Sequence, residues 1–217
     1  MHEGYSNTGS YAGYNKNHKE RAALDYYSTP TEEVVNILQT LNIDFNNQTI
    51  LEPSAGGGHM VQGILDYIKD KEYNTKIIAT DVATRKVLND DIKIQSGEPY
   101  DFFSKLYPYT ENIDWIIMNP PYSVIEPFTV KSLEVANKGV IILARLQFFE
   151  TEKRFKNIFK ESPPTDVYVY VDRISCHKNG DITQKMASIQ AYAWFIWDFK
   201  KQSNTTELRF IRRKGKC

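Results

Sequence analysis

The sequence predicts an α/β fold built on a mainly parallel sheet. Two observations carry that expectation. Strand-like and helix-like segments alternate over residues 29–159, as βαβ units require. The two strand candidates that close the chain, DVYVYV (166–171) and AYAWFIW (191–197), have no helix between them, so an antiparallel hairpin is expected at one edge.

The elements follow in order. Thr-Pro-Thr-Glu at 29–32 fits a capping box, with Thr29 as N-cap, Pro30 at N1 and Glu32 at N3. Val34, Val35, Leu38 and Leu41 then continue at helical spacing. Strands are expected at 49–52, 76–80, 92–94, 114–118 and 139–144, and helices at 59–69, 123–136 and 151–159. The polar connection at 172–190 has a length more often functional or mobile than idle. Residues 1–24 are rich in Gly, Asn, Ser and Tyr without any period, and read as a flexible arm, either disordered or ordering on a polyanion. One domain is expected over 25–211, followed by a basic tail at 212–217.

Composition excludes several classes. With 217 residues, 41% of them hydrophobic, the chain suffices for one domain with a full core. Lysine plus arginine and aspartate plus glutamate number 27 each, so net charge argues neither for nor against nucleic acid. Cys176 and Cys217 form no CxxC pair and no metal-ligand spacing, so neither a metal site nor a disulfide framework is expected. There is no apolar leader and no long apolar run, which implies no membrane partner and a cytoplasmic location.

Three motifs could carry chemistry. In LEPSAGGGHM (51–60) a strand runs into Gly56, Gly57 and Gly58 and then a helix, a turn that admits close approach of a ligand. It matches neither the dinucleotide fingerprint nor a phosphate-cradling loop, and it could serve only to pack helix on strand. Asp81 ends the next strand, where a carboxylate can accept both ribose hydroxyls or cap a helix beginning near Thr84.

The third motif is DWIIMNPPYS (114–123), an apolar strand that stops at Asn-Pro-Pro-Tyr. Asn119 offers an amide oxygen, and Pro120 a main-chain carbonyl whose direction Pro121 fixes. Two acceptors side by side match the two protons of a planar amine. Tyr122 adds a ring that can stack on the group bearing it. Accepting both protons draws a conjugated nitrogen toward a localised lone pair, which readies it to attack an electrophile.

On these residues the chain resembles the class I S-adenosylmethionine-dependent methyltransferases that act on exocyclic amines. It is most similar to the small N6-adenine DNA methyltransferases of phages and prophages, over residues 25–211. The order of motifs, Thr-Pro, then glycine turn, then Asn-Pro-Pro-Tyr, resembles the gamma arrangement. The resemblance implies a Rossmann-like, seven-stranded sheet with helices on both faces and S-adenosylmethionine as cofactor. It implies that Glu52, Pro53, Ser54, Ala55, Gly56 and Gly58 cradle the methionine portion and ribose, and that Thr29 and Pro30 touch the methionine end. Asp81 would take the ribose, and Asp101 and Phe102 the adenine. Asn119, Pro120, Pro121 and Tyr122 would act on adenine N6 in flipped-out DNA. Many restriction-type relatives carry a separate target-recognition domain; these residues contain no counterpart to it.

Other candidates are open. Phe148 or Phe149 could clamp the flipped base opposite Tyr122, or serve the core. Arg145, His177, Lys178 and Lys185 could reach nucleic-acid phosphates. Arg209, Arg212, Arg213, Lys214 and Lys216 form a local basic cluster, which solvated termini also show. Trp194 and Trp197 read as packing residues. The expectation is a monomeric enzyme of a bacterium, or of the bacterial host of a phage, that methylates adenine N6 in DNA. The alternatives are an RNA adenine or protein glutamine-amide methyltransferase, or a binding module with a dead site.

Overall fold

The computed structural model describes residues 26–178, 190–201 and 204–215. The expected arm at 1–24, together with Lys185 and Lys216, lies outside the described residues. Among the described residues, ten strands and four α-helices make up the fold. The strands are β1 (Tyr27–Ser28), β2 (Thr49–Glu52), β3 (Lys76–Asp81), β4 (Gln95–Ser96), β5 (Ile113–Met118), β6 (Ala136–Arg145), β7 (Asp166–Tyr170), β8 (His177–Lys178), β9 (Tyr192–Asp198) and β10 (Glu207–Ile211). The helices are α1 (Thr31–Leu41), α2 (His59–Asp70), α3 (Ile125–Val135) and the single turn α4 (Glu152–Arg154), which widens into a π-helical turn at Phe155–Phe159.

Eight strands form one sheet in the order β10-β7-β9-β6-β5-β2-β3-β4. All neighbours are parallel except β9, which runs antiparallel to both β6 and β7. The expected pairing of the two final β-runs is therefore present, but not at the edge. The edge belongs to β10, an eighth strand that lies parallel to β7. The expected strand at 92–94 is displaced to Gln95–Ser96, because Ile92 is buried under the glycine turn, with a methyl 2.9 Å from where a Cβ on Gly58 would sit.

The central strands are buried on both faces, and their alternate residues feed two cores. Ile116, Met118, Val140, Ile142, Ala193 and Phe195 face α3. Trp115, Ile117, Ile141, Leu143, Trp194 and Ile196 face α1 and α2. This is why these strands read as unbroken apolar runs. Trp194 and Trp197, 0% and 3% exposed, pack as expected and donate their indole N–H groups to Tyr170 Oη and Ser162 O at 2.9 Å each.

The capping box is not formed. Pro30, not Thr29, occupies the N-cap of α1 and makes no side-chain cap bond; its carbonyl accepts from Glu33 N–H at 3.0 Å. Thr29 is turned into the molecule instead, where a tertiary partner outcompetes the local one. Upstream of it, β1 pairs antiparallel with β8, which ties residues 27–28 to the segment after β7. No helix among the described residues is long and apolar enough to cross a membrane, and among them no cluster of His, Cys, Asp and Glu could hold a metal ion.

Candidate active site

From β2, the sheet order steps one way to β3 and the other way to β5. Such a reversal opens a crevice beyond the carboxyl ends of the strands. The three motifs sit there, at the ends of β2, β3 and β5. Ser54 and Asp81 share one cavity wall with Asp101, Phe102 and Asn119. Glu52, Ala55 and Thr29 line a small adjoining hollow, again with Ser54 and Asn119.

Glu52 ends β2 and is fully buried. Its Oε1 accepts from Ser54 N–H at 2.9 Å and Ser54 Oγ–H at 2.7 Å, while its Oε2 is buried without a partner. Burial pushes its carboxyl up to about 8, against the two Ser54 bonds. Its pKa in the unfolded chain is near 4.5, so the folded state holds the proton more tightly. The stability contributed by this proton is full below pH about 4.5 and is lost as pH rises through about 8. Thermal melts of Glu52→Gln and wild type should therefore diverge in favour of the Gln variant across that window. Parallel curves would contradict the assignment.

The glycine turn is shaped by two left-handed residues, Gly56 (φ +57°) and Gly58 (φ +86°). Asp81 braces it. Its Oδ2 accepts from Gly56 N–H and its Oδ1 from Ala83 N–H, both at 2.8 Å. No helix follows β3, so Asp81 is not a helix cap. Burial raises its carboxyl pKa, opposed by those two backbone bonds. Asp101 is 5% exposed and accepts from Phe103 N–H at 3.1 Å; Phe102 is 1% exposed and stacks on Phe128 with centroids 5.3 Å apart.

Asn119 sits at the end of β5. Its Nδ2 donates to Tyr27 O at 3.1 Å and Thr29 Oγ1 at 3.0 Å. A main-chain carbonyl can only accept, so the amide orientation is fixed by chemistry. That leaves Oδ1, which is buried and has no partner. Pro121 (φ −55°) holds the corner, and its carbonyl accepts from Val124 N–H at 3.0 Å in the short 3₁₀ turn Tyr122–Val124. The Tyr122 ring stacks on Tyr27 with centroids 5.5 Å apart and lies 4.3 Å from the Arg145 guanidinium. Burial pushes its hydroxyl well above the ordinary tyrosine value.

Beyond Tyr122 lies a second cavity of about 370 Å³, lined by Tyr27, Tyr122, Ser123, Arg145, Phe148 and Arg154. The Asn-Pro-Pro-Tyr corner therefore stands between two hollows, with the glycine turn on one side and the aromatic cavity on the other. Phe148 reaches the cavity wall but is 2% exposed and packs on Phe159 and Phe195; Phe149 packs on the same two rings and is 40% exposed. His177 and Lys178 form β8. The described part of the basic tail folds back on α1. Arg213 lies 3.7 Å from the buried Glu33 carboxylate, and Lys214 N–H donates to the same oxygen at 3.2 Å.

Several site residues stand outside the motifs legible in the sequence. The Tyr26 ring lies on the glycine turn, 4.9 Å from the Arg85 guanidinium, with its hydroxyl 3.0 Å from His59 Nδ1. Tyr27 bridges the two cavities. Lys131, 6% exposed, donates to the Phe102 carbonyl; burial pulls its ammonium down to about 8, opposed by Asp101. A lone lysine among Phe128, Thr129 and Ser132 on the buried face of α3 was the available signal for it.

Replacing Gly56 by Ala should be costly. The Cβ would lie 2.1 Å from the Tyr26 ring, and an L-residue at that φ costs about 1–2 kcal/mol before the clash is counted. A melting temperature lower by roughly 2–4 °C per kcal/mol is expected. An unchanged melt would show that the turn is looser than described.

No protein-family model matches the sequence, and no curated protein matches it significantly. Solved structures do match its fold. A type I restriction-modification system methyltransferase subunit from Streptococcus thermophilus superposes with a TM-score of 0.60 at 12% identity, over 87% of this chain and 47% of that one. A candidate class I S-adenosylmethionine-dependent methyltransferase from Listeria monocytogenes gives 0.57 at 11% identity, over 93% and 68%. The fold is that of the class I methyltransferases. A candidate RNA methyltransferase from Pyrococcus horikoshii gives 0.53 at 15% identity, over 84% and 98%. This chain thus spans about half the length of the Streptococcus subunit.

Proposed function

We propose that the chain transfers a methyl group from S-adenosylmethionine to the N6 amine of adenine in DNA. The observation that carries this reading is the buried, unpartnered Oδ1 of Asn119, held in the same crevice as the glycine turn. A buried acceptor without a partner is costly unless a donor arrives, and an amine is such a donor.

The residues present fit the cofactor. Glu52 Oε2, buried without a partner, suits a cationic ammonium at the methionine end, beside Thr29 and Ser54, the arriving cation displacing the proton that burial holds on the carboxyl up to about 8. Asp81 and Asp101 offer carboxylates for ribose hydroxyls and an adenine amino group. When bound, S-adenosylmethionine supplies an electrophilic methyl on a sulfonium. The chain's residues do the rest. Asn119 Oδ1 and the Pro120 carbonyl accept hydrogen bonds from the two N–H groups of the target amine, which keeps both protons, and aim its lone pair at the cofactor side. Tyr122 offers the stacking face for the base, which must leave the duplex to reach it. Tyr27 occupies that face in this structure, so it yields when a base enters. The product nitrogen then releases its extra proton to water.

The likeness to a restriction-modification methyltransferase subunit supports nucleic acid as the substrate class, and Arg145 and Arg154 in the wall of the outer cavity support it electrostatically. The test is expression in a host without adenine methylation, followed by mapping of modified adenines across its genome. N6-methyladenine is expected with the wild type and not with Asn119→Ala. A genome left unmodified by well-expressed wild type would count against DNA adenine as the target.

A further inference from the structure

The sheet ends on β10 with an edge that the described residues leave open. Glu207 donates its N–H to Thr165 O at 2.9 Å, and Ile211 O accepts from Val171 N–H at 3.1 Å. Odd-numbered residues of β10 therefore pair inward to β7. Leu208 and Phe210 turn their N–H and C=O groups outward. Their side chains are exposed as well, at 59% and 70%, and Val171 beside them at 55%. Here the apolar surface of the sheet runs past its helical cover. An open edge flanked by large apolar side chains is what folded proteins ordinarily avoid by charge, proline or a bulge. No proline or bulge interrupts Glu207–Ile211, and its two charges, Glu207 and Arg209, alternate with Leu208 and Phe210 and so leave the apolar face uncharged.

We propose that this edge is a homodimer interface, in which β10 pairs antiparallel with β10 of a second copy about a twofold axis at Leu208. The charges on the strand select both the partner and the register. Outward groups must face outward groups, so the axis passes through a residue rather than between two. An axis at Arg209 would set Arg209 against itself, and like charges directly opposite destabilise a strand pair. An axis at Phe210 sets Arg209 against the second copy's Ile211 and leaves both strand charges without an opposite charge across the pair of strands. An axis at Leu208 sets Glu207 against the second copy's Arg209 twice, once on each side. Leu208 then meets its own copy, as an isologous contact requires. The two sheets become one continuous sheet, and the exposed Leu208 and Phe210 side chains gain apolar neighbours.

The full chain in analytical ultracentrifugation, over a range of concentrations, tests this. The wild type is expected at twice its 25.1 kDa. Leu208→Pro removes an outward N–H at the axis and leaves the inward ladder to β7 intact, so it should sediment as a monomer with unchanged circular dichroism. Glu207→Arg alters a side chain that is 63% exposed and places like charges across the axis. It should raise the dimer dissociation constant at least tenfold even if the proline variant folds poorly. A wild type that is monomeric at every concentration overturns the proposal and leaves the patch to residues 1–25 or to a different protein. A dimer that survives Glu207→Arg with unchanged affinity overturns it too.

Discussion

Asn119→Ala is expected to lower the rate of methyl transfer by at least about 1,000-fold while S-adenosylmethionine binds with nearly wild-type affinity. The first half follows from what the amide oxygen would do. Removing one preorganised polar group that acts on developing charge costs about 100- to 1,000-fold in turnover, and Asn119 also positions the nucleophile. The second half follows from where the group points. Its Nδ2 is engaged by Tyr27 and Thr29, and its Oδ1, buried without a partner, is the atom proposed to face the substrate. The loss of those two donor bonds should lower stability by about 1 kcal/mol each, which a melt would register without unfolding the chain. Single-turnover transfer of labelled methyl, measured beside calorimetry with the cofactor, separates the two effects. A variant that keeps a tenth of wild-type turnover would remove Asn119 from the chemistry.

Asp81→Ala is expected to act in the opposite way, by losing the cofactor. Both carboxylate oxygens are tied to backbone N–H groups, one of them on the glycine turn itself. A hydrogen bond to a charged group is worth about 1.5–3 kcal/mol. Losing the Gly56 bond alone therefore costs roughly 10- to 100-fold in binding if the turn must be reordered by the ligand. Any direct contact to ribose adds to this. Asp81→Asn should not rescue, because one oxygen becomes an NH2 group facing a backbone donor. Calorimetry on a variant whose melting curve shows it folded is the check. A dissociation constant within twofold of wild type would make Asp81 a bystander.

These effects centre on residues that the sequence made legible, and the reason is local. A glycine turn, a strand-terminal acid and Asn-Pro-Pro-Tyr each declare their geometry through the backbone restrictions of their own residues. The alternation of strands and helices declared the layers. What was not legible is global. β10 reads as ELRFI after a polar stretch, and nothing in those five residues says that it will add beyond β7 and take the sheet edge from the β7–β9 pair. Thr29 obeyed the local signature of an N-cap and was claimed by Asn119, a residue 90 positions away. Tyr26 and Tyr27 sat at the end of an aperiodic, tyrosine-containing stretch. Their partners are Gly56, His59, Arg85 and Tyr122, contacts that no local pattern encodes.

The most direct test uses the purified chain with labelled S-adenosylmethionine and three acceptors in parallel: DNA, RNA and protein. Each is digested and the labelled product identified by mass spectrometry. The account predicts N6-methyladenine from DNA, abolished by Asn119→Ala. Label on cytosine, on RNA adenine alone, on a glutamine amide, or on nothing while the cofactor still binds, would contradict it.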